Sequence, residues 1–262
     1  MKVRELIEVY REQLKGEELR KATEEKYINS LHRFLTKRYS RETEIEEINS
    51  DDLLKDLKKI KMRGETSAIV NGLRRVKNYI NIPDEEELKK TIKSKTVKLR
   101  ENDEGKELKK IMKKINVLRD KKLKLGYRLM LMSGLRVFEL AELNKKDIEI
   151  TDAGIKIKVL DGKGGKSATI NCLRDKYLEK SLSEYLESTN EEKVFYSKKH
   201  MMNRALESGF ECHDLRRAFS KLLYKEKKEE VGVYKANIEV QKAMRHTKFS
   251  TTKIYLNSKI KV

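Results

Sequence analysis

His246-Thr-Lys-Phe-Ser-Thr-Thr-Lys-Ile-Tyr255 is the stretch that decides how this chain reads. A histidine is followed nine positions later by a tyrosine, across a Ser-Thr-Thr run that signals a helix start. Alone, Tyr255 would be one more amphipathic packing residue. Three upstream stretches change that: Ser133-Gly134-Leu135-Arg136, Gly162-Lys163-Gly164-Gly165 and His213-Asp-Leu-Arg216. From the four, one phenol, two arginines, two histidines and the lysine of the glycine turn make a set: Tyr255, Arg136, Arg216, His213, His246 and Lys163. That set can attack a phosphodiester without metal or nucleotide.

The chemistry assigns a role to each. A phenol has a pKa of about 10 and is a weak nucleophile at neutral pH, so Tyr255 needs a proton acceptor. His213 is the candidate acceptor. Negative charge grows on the phosphate as it becomes pentavalent, and arginine meets such charge bidentately, which suits Arg136 and Arg216. His246 is a further phosphate donor. The leaving 5′-oxygen needs a proton from the far side, which suits Lys163, with Lys166 as its rival for general acid. The spacing of His213 and Arg216 puts both on one helix face for joint phosphate contact.

Composition points the same way. Lys and Arg number 62 against 43 Asp and Glu, a net charge of +19, which argues for a polyanionic partner such as nucleic acid. The 262 residues allow one or two domains, and 37% apolar residues suffice for a core. The N-terminus has no apolar signal segment, no run approaches a membrane span, and no aromatic-anchored amphipathic segment suggests a membrane surface. Cys172 and Cys212 form no CxxC pair, so a reducing cytoplasm is the simple reading. A metal site at Cys212, His213 and His246 has no ligand spacing to support it, and the Gly162-to-Gly165 run lacks P-loop spacing, which leaves a hairpin turn. No cofactor is expected.

The pattern predicts a mainly α protein with a small antiparallel β-sheet. Leu6, Tyr10 and Leu14, then Tyr27, Leu31, Phe34 and Leu35, mark two amphipathic helices. A third starts at Ser50 as N-cap and buries Leu53, Leu54, Leu57 and Ile60. Ile69, Leu73, Val76 and Ile80 mark a fourth, and Pro83 opens a short fifth. Residues 1–92 thus form a helical N-terminal domain. A basic stretch over 93–102 reads as a linker, whose Lys93, Lys95, Lys98 and Arg100 would cross a nucleic-acid backbone. Residues 103–262 form the second domain. Its helices carry Leu108 to Ile115, Leu123 to Met132 with Gly134 as stop, and Val137 to Leu143. Ile148-Glu-Ile150, Ile155 to Val159 and Ser167 to Ile170 alternate between glycine turns as three strands. The rest is helical. Arg217 and Arg245 read as phosphate-backbone contacts or surface charge.

These motifs resemble those of the tyrosine recombinases, the family of phage integrases and Xer-type resolvases. Gly134-Leu-Arg136-Val-Phe-Glu139 is similar to the family's first arginine box, whose acid, here Glu139, supports the site; support and plain ion pairing are equal readings of it. Lys163 falls in the hairpin turn where the family keeps its lysine. His213-Asp-Leu-Arg216 resembles the HxxR box. Arg245-His246 through Tyr255 resembles the closing box, with Arg245 where glycine is usual. The resemblance implies a core-binding domain followed by an α+β catalytic domain, closing as a C-shaped clamp on double-stranded DNA. It implies a 3′-phosphotyrosyl intermediate at Tyr255, and four protomers on two DNA sites exchanging strands through a Holliday junction. The free protein is expected to be a monomer. Integration, excision and dimer resolution all fit. Two rival readings share the residues: a type IB topoisomerase-like nicking and closing enzyme, and a DNA-binding protein that has lost strand exchange.

Overall fold

The computed structural model describes residues 1–17, 19, 21–95, 106–160 and 167–262. The chain divides into two compact units, Met1–Glu101 and Asn102–Val262.

The first unit is helical: α1 (Val3–Lys15), α2 (Lys21–Thr36), α3 (Ser50–Lys59), α4 (Arg63–Val76) and α5 (Glu85–Ser94). The stripes read from the sequence face inward. Leu6, Tyr10, Leu14, Leu31, Leu35, Leu57, Leu73 and Val76 are all fully buried in one apolar cluster. Helix boundaries differ from expectation by a residue or two. The cap of α3 is Asn49 rather than Ser50: its Oδ1 accepts from the amides of Asp51 at 2.8 Å and Asp52 at 3.3 Å. Asn and Ser offer the same acceptor, and the longer side chain one position earlier wins. Pro83 lies outside α5, which Asp84 caps by accepting from the Glu86 amide at 2.9 Å. Helix α4 stops at Val76, and Ile80 reaches the core from the turn beyond.

The linker was expected to begin at Lys93, but α5 runs on through Ser94. Leu88 and Ile92 pack into the core at helical spacing, a signal masked by the surrounding lysines. Lys93 is therefore helical, and Lys95 is the cap residue, donating through Nζ to the Lys58 carbonyl at 2.6 Å. Lys98 and Arg100 lie outside the described residues.

The second unit opens with α6 (Leu108–Asn116), α7 (Lys121–Ser133) and α8 (Val137–Ala141), the last shorter than expected. Strands β1 (Ile148–Thr151), β2 (Gly154–Val159) and β3 (Ala168–Asn171) follow as one antiparallel sheet in that order, with Ile148 opposite Ile157 and Ile157 opposite Ile170. Ile155, Ile157, Val159 and Ile170 point into the core, as period-two alternation requires. Four helices complete the unit: α9 (Lys176–Ser188), α10 (Lys198–Glu207), α11 (Cys212–Ala243) and α12 (Phe249–Leu256). Helix α11 breaks at Gly232, which adopts φ 78° and ψ 170°.

Helix α7 is central: Leu125, Tyr127, Leu129, Met130 and Leu131 are all buried, and the Tyr127 hydroxyl donates to the Met201 carbonyl at 2.8 Å. The segment after α12 packs on its own unit. Ile260 is buried, the Lys261 carbonyl accepts from the Leu108 amide at 2.8 Å, and Lys221 Nζ donates to the Ser258 and Ile260 carbonyls at 2.6 and 2.8 Å. The architecture is mainly helical with one small antiparallel sheet, as the sequence pattern predicts. Among the described residues, no helix is long and apolar enough to cross a membrane.

Candidate active site

Three turns of the second unit converge. The first follows α7. Gly134 adopts left-handed φ 64°, and a Cβ there would meet Phe219 Cδ1 at 2.3 Å, so only glycine lets the chain pass. The turn delivers Arg136 to the N-cap of α8 and Glu139 to its third position. Glu139 then accepts from the Arg136 amide at 2.8 Å and from its Nη1 at 2.9 Å.

The second is the start of α11. Asp214 is buried and fixes this turn, accepting from the Glu211 amide at 2.8 Å, Lys106 Nζ at 2.7 Å and Arg217 Nη1 at 2.9 Å. His213 points outward and is exposed, whereas Arg216, one turn on, is fully buried. The expected common face is therefore split between a solvent-facing imidazole and a buried guanidinium. Arg216 donates through Nη1 to the Gly134 carbonyl and through Nη2 to the Met244 carbonyl at 2.5 Å, while its Nε has no partner among the described residues. Burial, and then the charge of Arg136, bring its pKa down to about 10, so it stays cationic at neutral pH.

The third turn joins α11 to α12. Arg245 takes a left-handed φ of 55° there. Gln241 Nε2 donates to the His246 carbonyl at 3.0 Å and pins the turn. His246 Nδ1 lies 3.1 Å from Thr252 Oγ1, and its Nε2 lies 3.4 Å from Arg216 Nη2. Arginine can only donate, so these partners assign the His246 proton to Nδ1 and the lone pair to Nε2. Burial, then the charges of Arg216, Arg136 and Arg245, lower the His246 pKa to about 4. The ring is neutral at pH 7.

Helix α12 carries Tyr255 into this setting. Its hydroxyl lies 2.8 Å from His213 Nε2. The phenol ring packs 5.1 Å from the His213 ring and 4.9 Å from the His246 ring, centroid to centroid, with Arg216 Cζ 5.8 Å from its own centroid. Tyr255 therefore meets the histidine and arginine of its own chain.

The structure thus brings together Arg136, Glu139, His213, Arg216, His246 and Tyr255. It also places Arg245 inside the site rather than on a surface: both its terminal nitrogens donate to Glu139, at 3.1 and 2.7 Å. Burial opposes the Glu139 charge, but the Arg136 amide and the two guanidiniums outweigh it and hold the carboxyl below its ordinary pKa. Arg217 is paired with Asp214. Lys163 and its rival Lys166 lie outside the described residues, between β2 and β3. Among the described residues, no group of three or more His, Cys, Asp or Glu is placed to hold a metal ion.

Sequence reasoning missed Thr252 and the partner of Arg245. Thr252 was read as part of a helix-start signal, yet α12 starts at Phe249 after an uncapping Lys248, and Thr252 is buried within the helix. Its three-residue offset from Tyr255, one helical turn, was the available clue. The clue for Arg245 was a basic residue where the resembling motif keeps glycine, in a chain whose first arginine box carries an acid, Glu139.

A family model described as the phage integrase family matches residues 101–261. No curated protein matches the chain. Solved structures do. A lambda integrase dimer bound to a COC' core site is 15% identical, with 98% of this chain and 78% of that chain covered and a TM-score of 0.69. XerH site-specific recombinase bound to a palindromic difH substrate, in a post-cleavage complex, is 19% identical over 95% of this chain and 79% of that one, with a TM-score of 0.61. The Tn1549 transposon integrase in complex with circular intermediate DNA is 15% identical over 97% and 95%, also at 0.61. At such identities the likeness is one of fold.

Proposed function

Because this chain belongs to the phage integrase family, we propose that it cuts and rejoins double-stranded DNA at a specific site through Tyr255. One observation carries the reading: the Tyr255 hydroxyl lies 2.8 Å from His213 Nε2 while its ring packs beside the Arg216 guanidinium. The side chains proposed as nucleophile, proton acceptor and phosphate-binding cation thus lie side by side in one unit.

The steps follow from that geometry. The Tyr255 oxygen attacks phosphorus as its proton passes to His213 Nε2. Arg136 and Arg216 meet the charge on the non-bridging oxygens. Arg216 is fully buried and its terminal nitrogens donate to the Gly134 and Met244 carbonyls, so the phosphate gains it only as those surroundings rearrange. The bond from phosphorus to the 5′-oxygen breaks, and Lys163 supplies the proton that makes the 5′-hydroxyl. A 5′-hydroxyl of a partner strand then attacks the 3′-phosphotyrosyl link and regenerates the phenol. The bond count is unchanged at each step, so no nucleotide is consumed. His246, neutral and braced by Thr252, shapes the Arg216 side of the pocket.

The net charge of +19 supplies DNA affinity, with Lys93, Lys95, Lys98, Arg100 and Arg217 as backbone contacts, and that affinity falls steeply with salt. Four copies assemble on two DNA sites in the cytoplasm, from monomers. The Tyr255 of each copy acts with that copy's own arginines.

Covalent capture tests this. Wild type and Tyr255→Phe are incubated with a pool of nicked duplexes of randomised sequence and denatured in detergent, and the adducts are sequenced. Adducts in wild type only, at one recurring sequence, support the proposal. Scattered adducts favour nicking and closing without site choice. Adducts in the Tyr255→Phe variant overturn the tyrosine assignment, and tight binding without adducts in either leaves a DNA-binding protein.

A further inference from the structure

Arg245 is the one non-glycine residue with positive φ among the described residues, at 55°. Left-handed backbone is unfavourable for an L side chain, and such strain persists where the surroundings over-determine it. The turn itself is held by the His246 amide donating to the Gln241 carbonyl at 3.1 Å and by Gln241 Nε2 donating to the His246 carbonyl at 3.0 Å, and the Arg245 side chain that it presents is gripped by Glu139. Each carboxylate oxygen is used twice: Oε1 accepts from Arg136 Nη1 at 2.9 Å and Arg245 Nη1 at 3.1 Å, and Oε2 accepts from the Arg136 amide at 2.8 Å and Arg245 Nη2 at 2.7 Å. The carboxylate is buried, with no side-chain exposure. It is a four-donor junction between two turns 106 residues apart in sequence, one carrying Arg136 and the other His246.

We propose that Arg245 is a positioning residue for strand cleavage: by saturating Glu139 it fixes the Arg136 guanidinium and locks the Arg136 turn to the His246 turn. It touches no reacting atom and acts through Glu139. The inference rests on the activity proposed above. With two of its donors committed to Glu139, Arg136 is held in one orientation and keeps its remaining nitrogens for phosphate. A planar fork that meets a carboxylate at both oxygens defines an angle as well as a distance, which a lysine ammonium does not.

The protonation of Glu139 supplies a readout. The charged groups facing it are Arg136 at the start of α8, Arg245 after α11 and Arg216 within α11. Burial favours the neutral acid, and the arginines hold it ionised. Without Arg245, burial meets less opposition and the carboxyl takes up a proton at higher pH. A protonated Glu139 no longer holds Arg136 at both contacts.

The test uses Arg245→Gly, which suits the left-handed backbone, and Arg245→Lys, each checked for folding by its melt. Two readouts are taken on the full chain. The first is the carbon NMR titration of the Glu139 carboxyl without DNA, expected to move to higher pH in Arg245→Gly. The second is the rate of covalent adduct formation on the nicked duplex pool across pH. It is expected to fall by roughly 10²-fold, the cost of a misplacement of about 1 Å, with its acid limb at higher pH and DNA affinity unchanged. Arg245→Lys should fall between Arg245→Gly and wild type in both. An unmoved titration, or a wild-type rate in Arg245→Gly, overturns the proposal, as does a lower rate with an unmoved acid limb. Absence of any wild-type adduct would refute the activity instead, and the titration would still decide whether Arg245 controls Glu139.

Discussion

The two units bury different chemistry. Among the described residues of Met1–Glu101 the buried side chains are apolar apart from Thr66 and Thr91. In Asn102–Val262 the buried set includes Glu139, Asp147, Asp214 and Arg216. A buried charge is tolerated only where partners surround it, and removing one partner is far costlier than losing an exposed pair. An apolar core therefore marks a unit built to hold a shape, and a paired, buried charge marks one built around a task. The distinction is not automatic, because Asp147 accepts from the Asn144 amide at 2.9 Å as a local turn brace. Glu139 and Arg216 differ from it in reaching across elements to one another's neighbours.

Removing Arg216 should give the largest effect. Arg216→Met takes away the proposed phosphate donor and also leaves the Gly134 and Met244 carbonyls without this partner. Loss of one such transition-state donor costs roughly 10²–10³ in rate, and the carbonyls add about 1–3 kcal/mol each in stability. Leu57→Ala in the first unit, a fully buried α3 leucine, should cost about 2–5 kcal/mol of stability and leave the cleavage rate of bound complexes intact. Adduct kinetics under saturating protein, beside thermal melts, check both. An equal loss of cleavage chemistry in Leu57→Ala would erase the contrast between the units.

Glu139→Gln comes next. It removes the anion that two arginines share, and breaking a buried pair from one side costs roughly 3–5 kcal/mol. Hydrogen exchange should show the loss confined to the second unit. Exchange that rises equally in α1 to α4 would mean the two units do not melt separately.

What the sequence made legible divides along the same line. Period-four stripes such as Leu6, Tyr10 and Leu14 locate helices because burial of one face is a local property of the pattern. That Arg136, His213, Arg216, His246 and Tyr255 would come together was readable because phosphodiester chemistry restricts which side chains can serve, and the structure does gather them. The pairings were not. That Arg245 grips Glu139 across 106 positions, or that Thr252 faces His246, depends on how turns meet in space. Nor could the text show that Arg216 would be buried while His213 stayed exposed, since a three-residue step leaves both on one broad face and only packing against α7 divides it. Helix ends slipped for a smaller reason: Asn49 and Ser50, or Pro83 and Asp84, are rival caps of similar strength.

Gly134→Ala sharpens the comparison at the backbone. The new methyl would meet the Phe219 ring at 2.3 Å in a left-handed turn, at a cost of about 1–3 kcal/mol for overpacking alone. The Gly134 carbonyl that accepts from Arg216 must move too, so cleavage should drop further than the melting shift accounts for. Gly72→Ala in the first unit makes a milder contact, 3.1 Å to Leu31 Cβ, and should lower the melting temperature without a separate kinetic loss.

A pH effect of about 1–2 kcal/mol should follow from His246. Its pKa in the folded chain, about 4, lies below the ordinary 6.5. As pH falls, the unfolded chain takes up the proton first, so the unfolded state binds more protons between those two values. The stability of the second unit is then full above pH 6.5 and declines as pH drops toward about 4; solvent at the half-exposed ring edge reduces the size. Melts of wild type and His246→Gln across that window check the sign. A slope that survives in His246→Gln belongs to another group.

The smallest expected change is Asn49→Ala, and it isolates the first unit most cleanly. The Asn49 Oδ1 accepts from the two amides that open α3. Losing a cap of this kind costs about 1 kcal/mol. The substitution should raise hydrogen exchange at the start of α3 and shift the melting temperature slightly. It should leave the adduct rate, the Glu139 titration and the His246 slope where they were. A change in any of those three would show that the first unit is coupled to the proposed chemistry of the second, and the separation drawn from buried charge would have to give way to a single cooperative body.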